Sequence, residues 1–173
     1  FPAYEYTSSA PSIANNHRNV IFRNASVPEL PPSFFEAETE QLLWQTLDEV
    51  CTLADSGCDM LAIPHNSNWS NGNMYIPDYT HLPLEEQVEA ARIRLRMEPL
   101  FEAFQHKGDL EARNGFPGIL RDPLADFEKI RDEDTLTCGD EPGSTGINGT
   151  GCISRYDFYR NVLKLGMSEH KRL

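Results

Sequence analysis

The sequence predicts an α/β protein with parallel strands, and two observations carry this expectation. The apolar run 60–63 is ended by Pro64, which is typical of a short buried strand, and His65 follows it directly. The segment 38–56 places apolar residues at helical spacing and leads into this strand after a tight turn, as in the repeating unit of a parallel barrel. A histidine just past such a strand lies where parallel α/β folds place their chemistry. The alternative is that His65 only caps a loop.

The other elements follow from composition and from helix and strand signals. They are, in chain order, strands over 4–7 and 20–22, a helix over 84–97, a strand over 100–104, a short helix over 122–130, and a helix that begins at Ser154 and stops at Gly166. The helix over 84–97 has acidic residues early and arginines late, which matches the helix dipole. Segments 69–83 and 114–151 are rich in loop-forming residues, and 167–173 is predicted to be a polar, frayed tail.

Length and charge exclude two classes of partner. The chain has 173 residues, and its 27 acidic and 15 basic residues give a formal net charge of −12. Proteins that bind nucleic acid present a basic face, so a nucleic-acid partner is not expected. The sequence contains no run of apolar residues long enough to span a membrane. One globular unit is expected.

The cysteines suggest disulfides and not a zinc site, because they form no Cys-x-x-Cys pair. Cys138 and Cys152 flank a glycine-rich loop, which a disulfide would restrain by roughly 3 kcal/mol on the loop-entropy estimate. Cys51 and Cys58 could pair around a helix end. Glycosylation sequons, which also arise by chance, begin at Asn24, Asn68 and Asn148. A periplasmic or extracellular location is favoured, with the cytoplasm as the alternative.

Four separated motifs occur in a defined order along the chain. They are Tyr4-Glu5-Tyr6-Thr7, then Asn16-His17-Arg18-Asn19-Val20-Ile21-Phe22-Arg23, then Ile63-Pro64-His65-Asn66-Ser67-Asn68, and lastly Glu98-Pro99-Leu100-Phe101-Glu102 followed by Gln105-His106-Lys107-Gly108-Asp109. Together they resemble a bacterial family known as domain of unknown function 3604 (DUF3604). That family looks like a branch of the PHP (polymerase and histidinol phosphatase) superfamily of metal-dependent phosphoesterases. The resemblance runs from Phe1 to about Gly166.

The resemblance implies that residues 1–166 form part of a distorted parallel TIM-like barrel of the PHP type. Members of the family are several times longer and carry a His-x-His motif upstream and a further histidine motif downstream. This chain is therefore expected to be a piece of a longer protein. The remainder of that protein, or a complementary chain, would supply the missing metal ligands.

The resemblance also implies a metal site that uses two or three divalent ions, with zinc, manganese or iron the best suited to imidazole and carboxylate ligands. Glu5 would bridge ions, His17 and His65 would be ligands, and His106 is a weaker candidate. Glu5 and His65 would be the catalytic residues. The alternatives are that Glu5 is an ordinary exposed strand residue, and that His17 orders its loop or binds substrate.

An anionic small molecule is the substrate that the resemblance implies, and four residues are candidates to bind it. Arg18 and Lys107 would bind it by charge, while Asn66 and Asn68 would orient it by hydrogen bonds. Both cations could equally be solvated surface residues. The predicted function is hydrolysis of a phosphate ester by a metal-activated water. The rival is a non-catalytic fragment or subunit that serves assembly or ligand binding.

Overall fold

The computed structural model describes residues 1–8, 15–53, 56–77, 79–131, 136–139, 142–143 and 151–173. The chain divides into two compact units. The first unit comprises Phe1–Ala10, His17–His65 and Asp78–Phe101, and the second comprises Pro11–Asn16, Asn66–Pro77 and Glu102–Leu173.

The first unit contains a three-stranded sheet. Its strands are β1 (Ala3–Ser8), β2 (Asn16–Phe22) and β3 (Met60–His65), and β2 lies in the middle. β2 pairs antiparallel with β3 in a register that places His17 directly opposite His65. The predicted strands over 4–7, 20–22 and 60–63 are therefore all present, and β2 begins earlier than expected, so that it includes His17.

Side chains alternate across this sheet, so its two faces differ. In β2, the core-facing residues Arg18, Val20 and Phe22 are buried, while the alternate residues His17, Asn19 and Ile21 are only partly buried. The same alternation buries Tyr6 in β1 and Ala62 in β3. One face of the sheet therefore contributes to the core, and the other carries His17.

Two helices cover the core face of the first unit. α1 (Glu40–Leu47) begins at Thr39, whose hydroxyl accepts the Leu42 amide at 3.2 Å, and a π-helix (Asp48–Leu53) continues it. α2 spans Leu84–Met97, which confirms the predicted helix over 84–97. The core that they enclose includes Tyr6, Val20, Phe22, Leu43, Trp44, Leu47, Ala62 and Met97.

The second unit has little regular structure before its last helix. β4 (Phe104–Gln105) and β5 (Gly108–Asp109) form a short antiparallel pair, and a 3-10 helix spans Ser67–Trp69. A second 3-10 helix spans Arg155–Asp157, and α3 (Tyr159–Arg172) follows it. Ser154 and Asp157 form a capping box, as the sequence suggested, but it caps the short 3-10 helix, and the α-helix expected to begin at Ser154 begins at Tyr159.

The predicted parallel TIM-like barrel is wrong. Among the described residues the two sheets are small, and the paired strands β2 and β3 run antiparallel. The apolar run 60–63 predicted a buried strand correctly, but the pattern within one strand does not encode the direction of its partner. The result is a mixed α/β fold without a closed or parallel barrel in the ranges that the structure describes.

Three other expectations also need correction. The strand predicted over 100–104 is reduced to β4, and the helix predicted over 122–130 is a series of turns. α3 continues through Gly166 and includes most of the predicted polar tail, because a single glycine costs a helix only about 1 kcal/mol.

The structure contains two disulfides, Cys51–Cys58 and Cys138–Cys152, which are the two pairings considered from the sequence. Disulfides persist in oxidising compartments, so they are consistent with the favoured location. Of the sequon asparagines, Asn24 is exposed, Asn68 is buried, and Asn148 lies outside the described residues. In the part of the chain that the structure describes, no helix has the length and apolar character needed to cross a membrane.

Gly108, the first residue of β5, offers a test of the second unit. It has φ +98°, and a Cβ there would collide with the backbone carbonyl oxygen of Glu128. We expect Gly108→Ala to lower the free energy of unfolding by more than the roughly 1–2 kcal/mol that the left-handed conformation alone costs. The matched control is Gly115→Ala, since Gly115 has φ +93° but no atom within 4 Å of its added Cβ. Equal losses in urea denaturation would show that the close approach to Glu128 is unimportant.

Candidate metal centre

Three predicted ligands of the first unit come together: Glu5, His17 and His65. Each offers one ligand atom, and these atoms all lie within 4.8 Å of one another. It is the one group of three or more histidine, cysteine, aspartate or glutamate side chains with this geometry among the residues described. The structure therefore brings these three predicted ligands together, and their binding of a metal stays a prediction.

The sheet explains why residues so distant in sequence meet. His17 and His65 are directly opposite partners on neighbouring antiparallel strands, which puts both side chains on the same face. Glu5 is exposed and precedes the buried Tyr6 on β1, so it also points away from the core. The cluster occupies the sheet face opposite the apolar core.

The distances within the cluster are close to those a metal ion requires. His17 Nδ1 lies 2.5 Å from Glu5 Oε1, and His65 Nε2 lies 3.9 Å from Glu5 Oε2. Two ligands on one tetrahedral ion are about 3.4 Å apart, from bond lengths near 2.1 Å. An ion would replace the hydrogen bond between His17 and Glu5, move these two groups apart by about 1 Å, and draw Glu5 and His65 slightly together. These residues fit a divalent cation.

The three side chains of the cluster differ in their exposure to solvent. The side chain of His65 is 9% exposed and that of His17 is 20% exposed, whereas that of Glu5 is 50% exposed. The two rings meet edge to face, with centroids 5.5 Å apart. His65 is therefore buried and His17 partly buried, while the carboxylate side of the cluster opens to solvent.

Arg18 is on the opposite face of β2 from His17 and is fully buried. Its Nε donates to Glu98 Oε1 at 2.7 Å, and its Nη1 donates to Glu40 Oε1 at 2.9 Å. Trp44 Nε1 also donates to Glu98 Oε1, at 3.1 Å. Burial raises the pKa of Glu40, although the nearby Arg18 opposes this shift. The arginine predicted to bind substrate is thus part of a buried ion network that anchors β2.

This network was not predicted from the sequence. Glu98 is in one of the motifs, and Glu40 begins α1, but only the packing of α1 and α2 against the sheet brings both carboxylates to Arg18. The one available signal was Arg18 itself, a cation on the side of β2 that also carries Val20 and Phe22. A charge in that position requires buried partners.

The other proposed substrate residues meet in the second unit. Asn66 has φ +62°, and its Oδ1 accepts from Gln105 and, at 3.0 Å, from Lys107 Nζ. Lys107 Nζ also lies 5.3 Å from the centroid of the Trp69 ring. Asn68 is buried and donates to the Lys107 carbonyl at 2.9 Å. Asn66, Asn68 and Lys107 are thus brought together, and their contact with a substrate stays a prediction.

His106 is exposed in the turn that joins β4 to β5 in the second unit. It does not belong to the group formed by Glu5, His17 and His65. Its role as a metal ligand stays a prediction.

Asp157 organises the second unit and was not singled out from the sequence. This fully buried carboxylate accepts the Gly72 amide at 2.7 Å, the Ser154 amide at 3.0 Å and the Ser70 hydroxyl at 3.1 Å. Burial raises its pKa to about 6, against the opposing effect of Arg131. The Ser-x-x-Asp spacing of Ser154 and Asp157 was visible, but their other partners are distant in sequence.

The fold and the cluster define a mixed α/β protein whose three-stranded sheet carries a Glu-His-His group on the face away from its core. The chain matches, over residues 1–173, the family described as "Protein of unknown function (DUF3604)". It belongs to that family, which confirms the resemblance to DUF3604 found from the sequence motifs, whereas the relation to the PHP superfamily stays a prediction. No curated protein and no solved structure matches the chain.

Proposed function

We propose that Glu5, His17 and His65 hold a divalent metal ion, and that the protein uses it to hydrolyse phosphate esters. The observation that carries the proposal is the convergence of three ligand atoms within 4.8 Å from three adjacent strands. Two imidazoles and one carboxylate suit zinc, manganese or iron. The resemblance to the PHP superfamily supports phosphate esters as the substrate class.

Each residue has a distinct task in this proposal. His17 and His65 bind the ion through one ring nitrogen each, and the strand pairing between them fixes the separation of their backbones. Glu5 adds a negative charge and has a second oxygen with which to orient a water or a second ion. A divalent ion in such a site acidifies a water ligand and polarises a phosphoryl oxygen.

Three protein ligands leave positions open for water and substrate on one ion. The second and third ions expected from the resemblance would need further ligands, from the remainder of a longer protein or from a complementary chain. The solvent-exposed side of Glu5 is where such ligands and an anionic substrate would enter. The two disulfides support a periplasmic or extracellular setting for this activity.

His65→Ala tests the proposal. We expect the affinity for the metal to fall by at least about 10–100-fold, which is the loss typical of changes near a metal. The rate of hydrolysis of an aryl phosphate should fall with it. Metal content after dialysis and phosphatase activity are measured on wild type and variant at equal concentration. In excess chelator the melting temperatures should be nearly equal, because the ring contributes little to the core.

The matched control is His81→Ala, which removes an exposed histidine of the same unit. It should leave metal content and activity unchanged. Full metal occupancy and activity in His65→Ala would make His65 a structural residue and remove the basis of the site. Metal binding that depends on His65, without hydrolysis of any ester tested, would instead favour the non-catalytic role.

A further inference from the structure

The second unit contains a pocket whose lining has more positive than negative side chains. Its polar lining, which we call the cationic pocket, consists of Asn68, Asp109, Arg113, Lys129 and Arg131. The remaining lining is apolar and includes Phe158, whose ring centroid lies 5.2 Å from Lys129 Nζ. The empty space, including the open mouth, is about 210 Å³. The enclosed part has room for a group about the size of one water molecule.

Positive charge exceeds negative charge in this lining, since three cations face the single carboxylate of Asp109. Lys129 forms an ion pair with Asp109. Arg113 donates to the Arg131 backbone carbonyl at 3.3 Å, which brings two arginines together. Asp157, which is not part of the lining, interacts electrostatically with Arg131 and offsets part of its charge. In a chain with a net charge of −12, this local excess of cations is not explained by composition.

Two buried polar atoms of the lining have no partner among the described residues. Arg131 is 7% exposed, and its Nε has no acceptor, although the guanidinium donates to Cys152 O at 2.6 Å and to Asn71 Oδ1 at 3.1 Å. Asn68 is 4% exposed, and its Oδ1 has no donor, while its amide nitrogen is taken by the Lys107 carbonyl. Unpartnered buried groups are costly, so these atoms point to a missing ligand.

We propose that the cationic pocket binds a small tetrahedral oxyanion, with one oxygen entering among Arg113, Lys129 and Arg131. An oxyanion would supply the acceptor that Arg131 Nε lacks and would neutralise the excess charge. Hydrogen phosphate also carries a P–OH group that can donate to Asn68 Oδ1, whereas sulfate has no such donor. Phosphate should therefore bind more tightly than sulfate.

Calorimetric titration of the protein with sodium phosphate tests the proposal. The protein is kept in chelator so that no metal ion contributes to binding, which separates the outcome from that of the proposed hydrolase. We expect saturable phosphate binding, weaker sulfate binding, and none with sodium chloride at equal ionic strength. Arg113→Gln should weaken phosphate binding by about tenfold or more, as expected for losing a charged hydrogen-bond donor.

The matched control is Arg121→Gln, which removes the same charge from an exposed position of the same unit. It should change the affinity by no more than about twofold. A wild-type protein without saturable phosphate binding would overturn the proposal, as would equal losses in the two variants. A crystal soaked in sodium selenate needs no variant: anomalous density in the cationic pocket supports the proposal, and a pocket filled by water alone overturns it.

Discussion

Replacing Arg18 by methionine should destabilise the protein by about 3–5 kcal/mol, the cost of removing one partner from a buried ion pair. Arg18 is fully buried between Glu98 and Glu40, and its loss would leave both carboxylates without their main counter-charge. Urea denaturation of wild type and variant at the same pH measures this change. The variant Arg18→Met/Glu40→Gln should recover part of the loss, because the double change also removes the charge of Glu40. Glu98 keeps its ion pair with Arg94, whereas Glu40 is left uncompensated.

Arg23→Met provides the matched control. Arg23 follows β2 and pairs with Asp59 at 3.1 Å, but both side chains are largely exposed, at 77% and 58%. The expected loss is about 0–1 kcal/mol, as for other surface ion pairs. Equal losses in the two variants would refute the buried network as a source of stability.

The same variant separates the two roles of Arg18. If Arg18 binds substrate, as the resemblance predicts, Arg18→Met should raise KM for an anionic ester while leaving stability close to that of wild type. If it anchors β2, stability falls, and metal affinity falls with it because His17 is the adjacent residue. The buried position of Arg18 favours the second outcome.

Asp157→Asn should remove a dependence of stability on pH. Burial raises the folded-state pKa of Asp157 from 3.8 to about 6, so between these values the native state keeps a proton that the unfolded chain has released. The contribution of this group to stability is therefore greatest below about pH 4, declines as pH rises to about 6, and is level above that. A difference of about two pKa units corresponds to roughly 3 kcal/mol across this range.

The free energy of unfolding, measured between pH 4 and 7, should lack this decline in Asp157→Asn. At pH 7 the variant loses a carboxylate oxygen as an acceptor, so one of the amides of Gly72 and Ser154 is left unpaired. Asp126→Asn, which alters an exposed aspartate of the same unit, should retain the wild-type slope. If the variant and wild type had parallel pH profiles, the buried carboxylate of Asp157 would not be the source of the pH dependence.

Part of the candidate site could be read from local patterns. The residues around Glu5 and the apolar run before His65 place these two residues in or at the end of a strand, whereas the strand predicted over 20–22 left His17 outside. Such a local pattern predicts the folded strand because a strand directs alternate side chains to opposite faces. The direction of strand pairing depends on contacts between distant segments, and for this reason the parallel barrel was predicted wrongly.

The sequence by itself determined the family, the long helix over 84–97 and the two cysteine pairings considered, and it singled out the three residues of the candidate metal site. Only the tertiary structure decided that β2 and β3 are antiparallel, that Arg18 is held in the core by Glu98 and Glu40, and that Asp157 joins segments far apart in sequence. The physical reason is the range of the interactions. Helix propensity, capping and alternation act within a few residues, whereas buried charges acquire partners only when remote elements pack together.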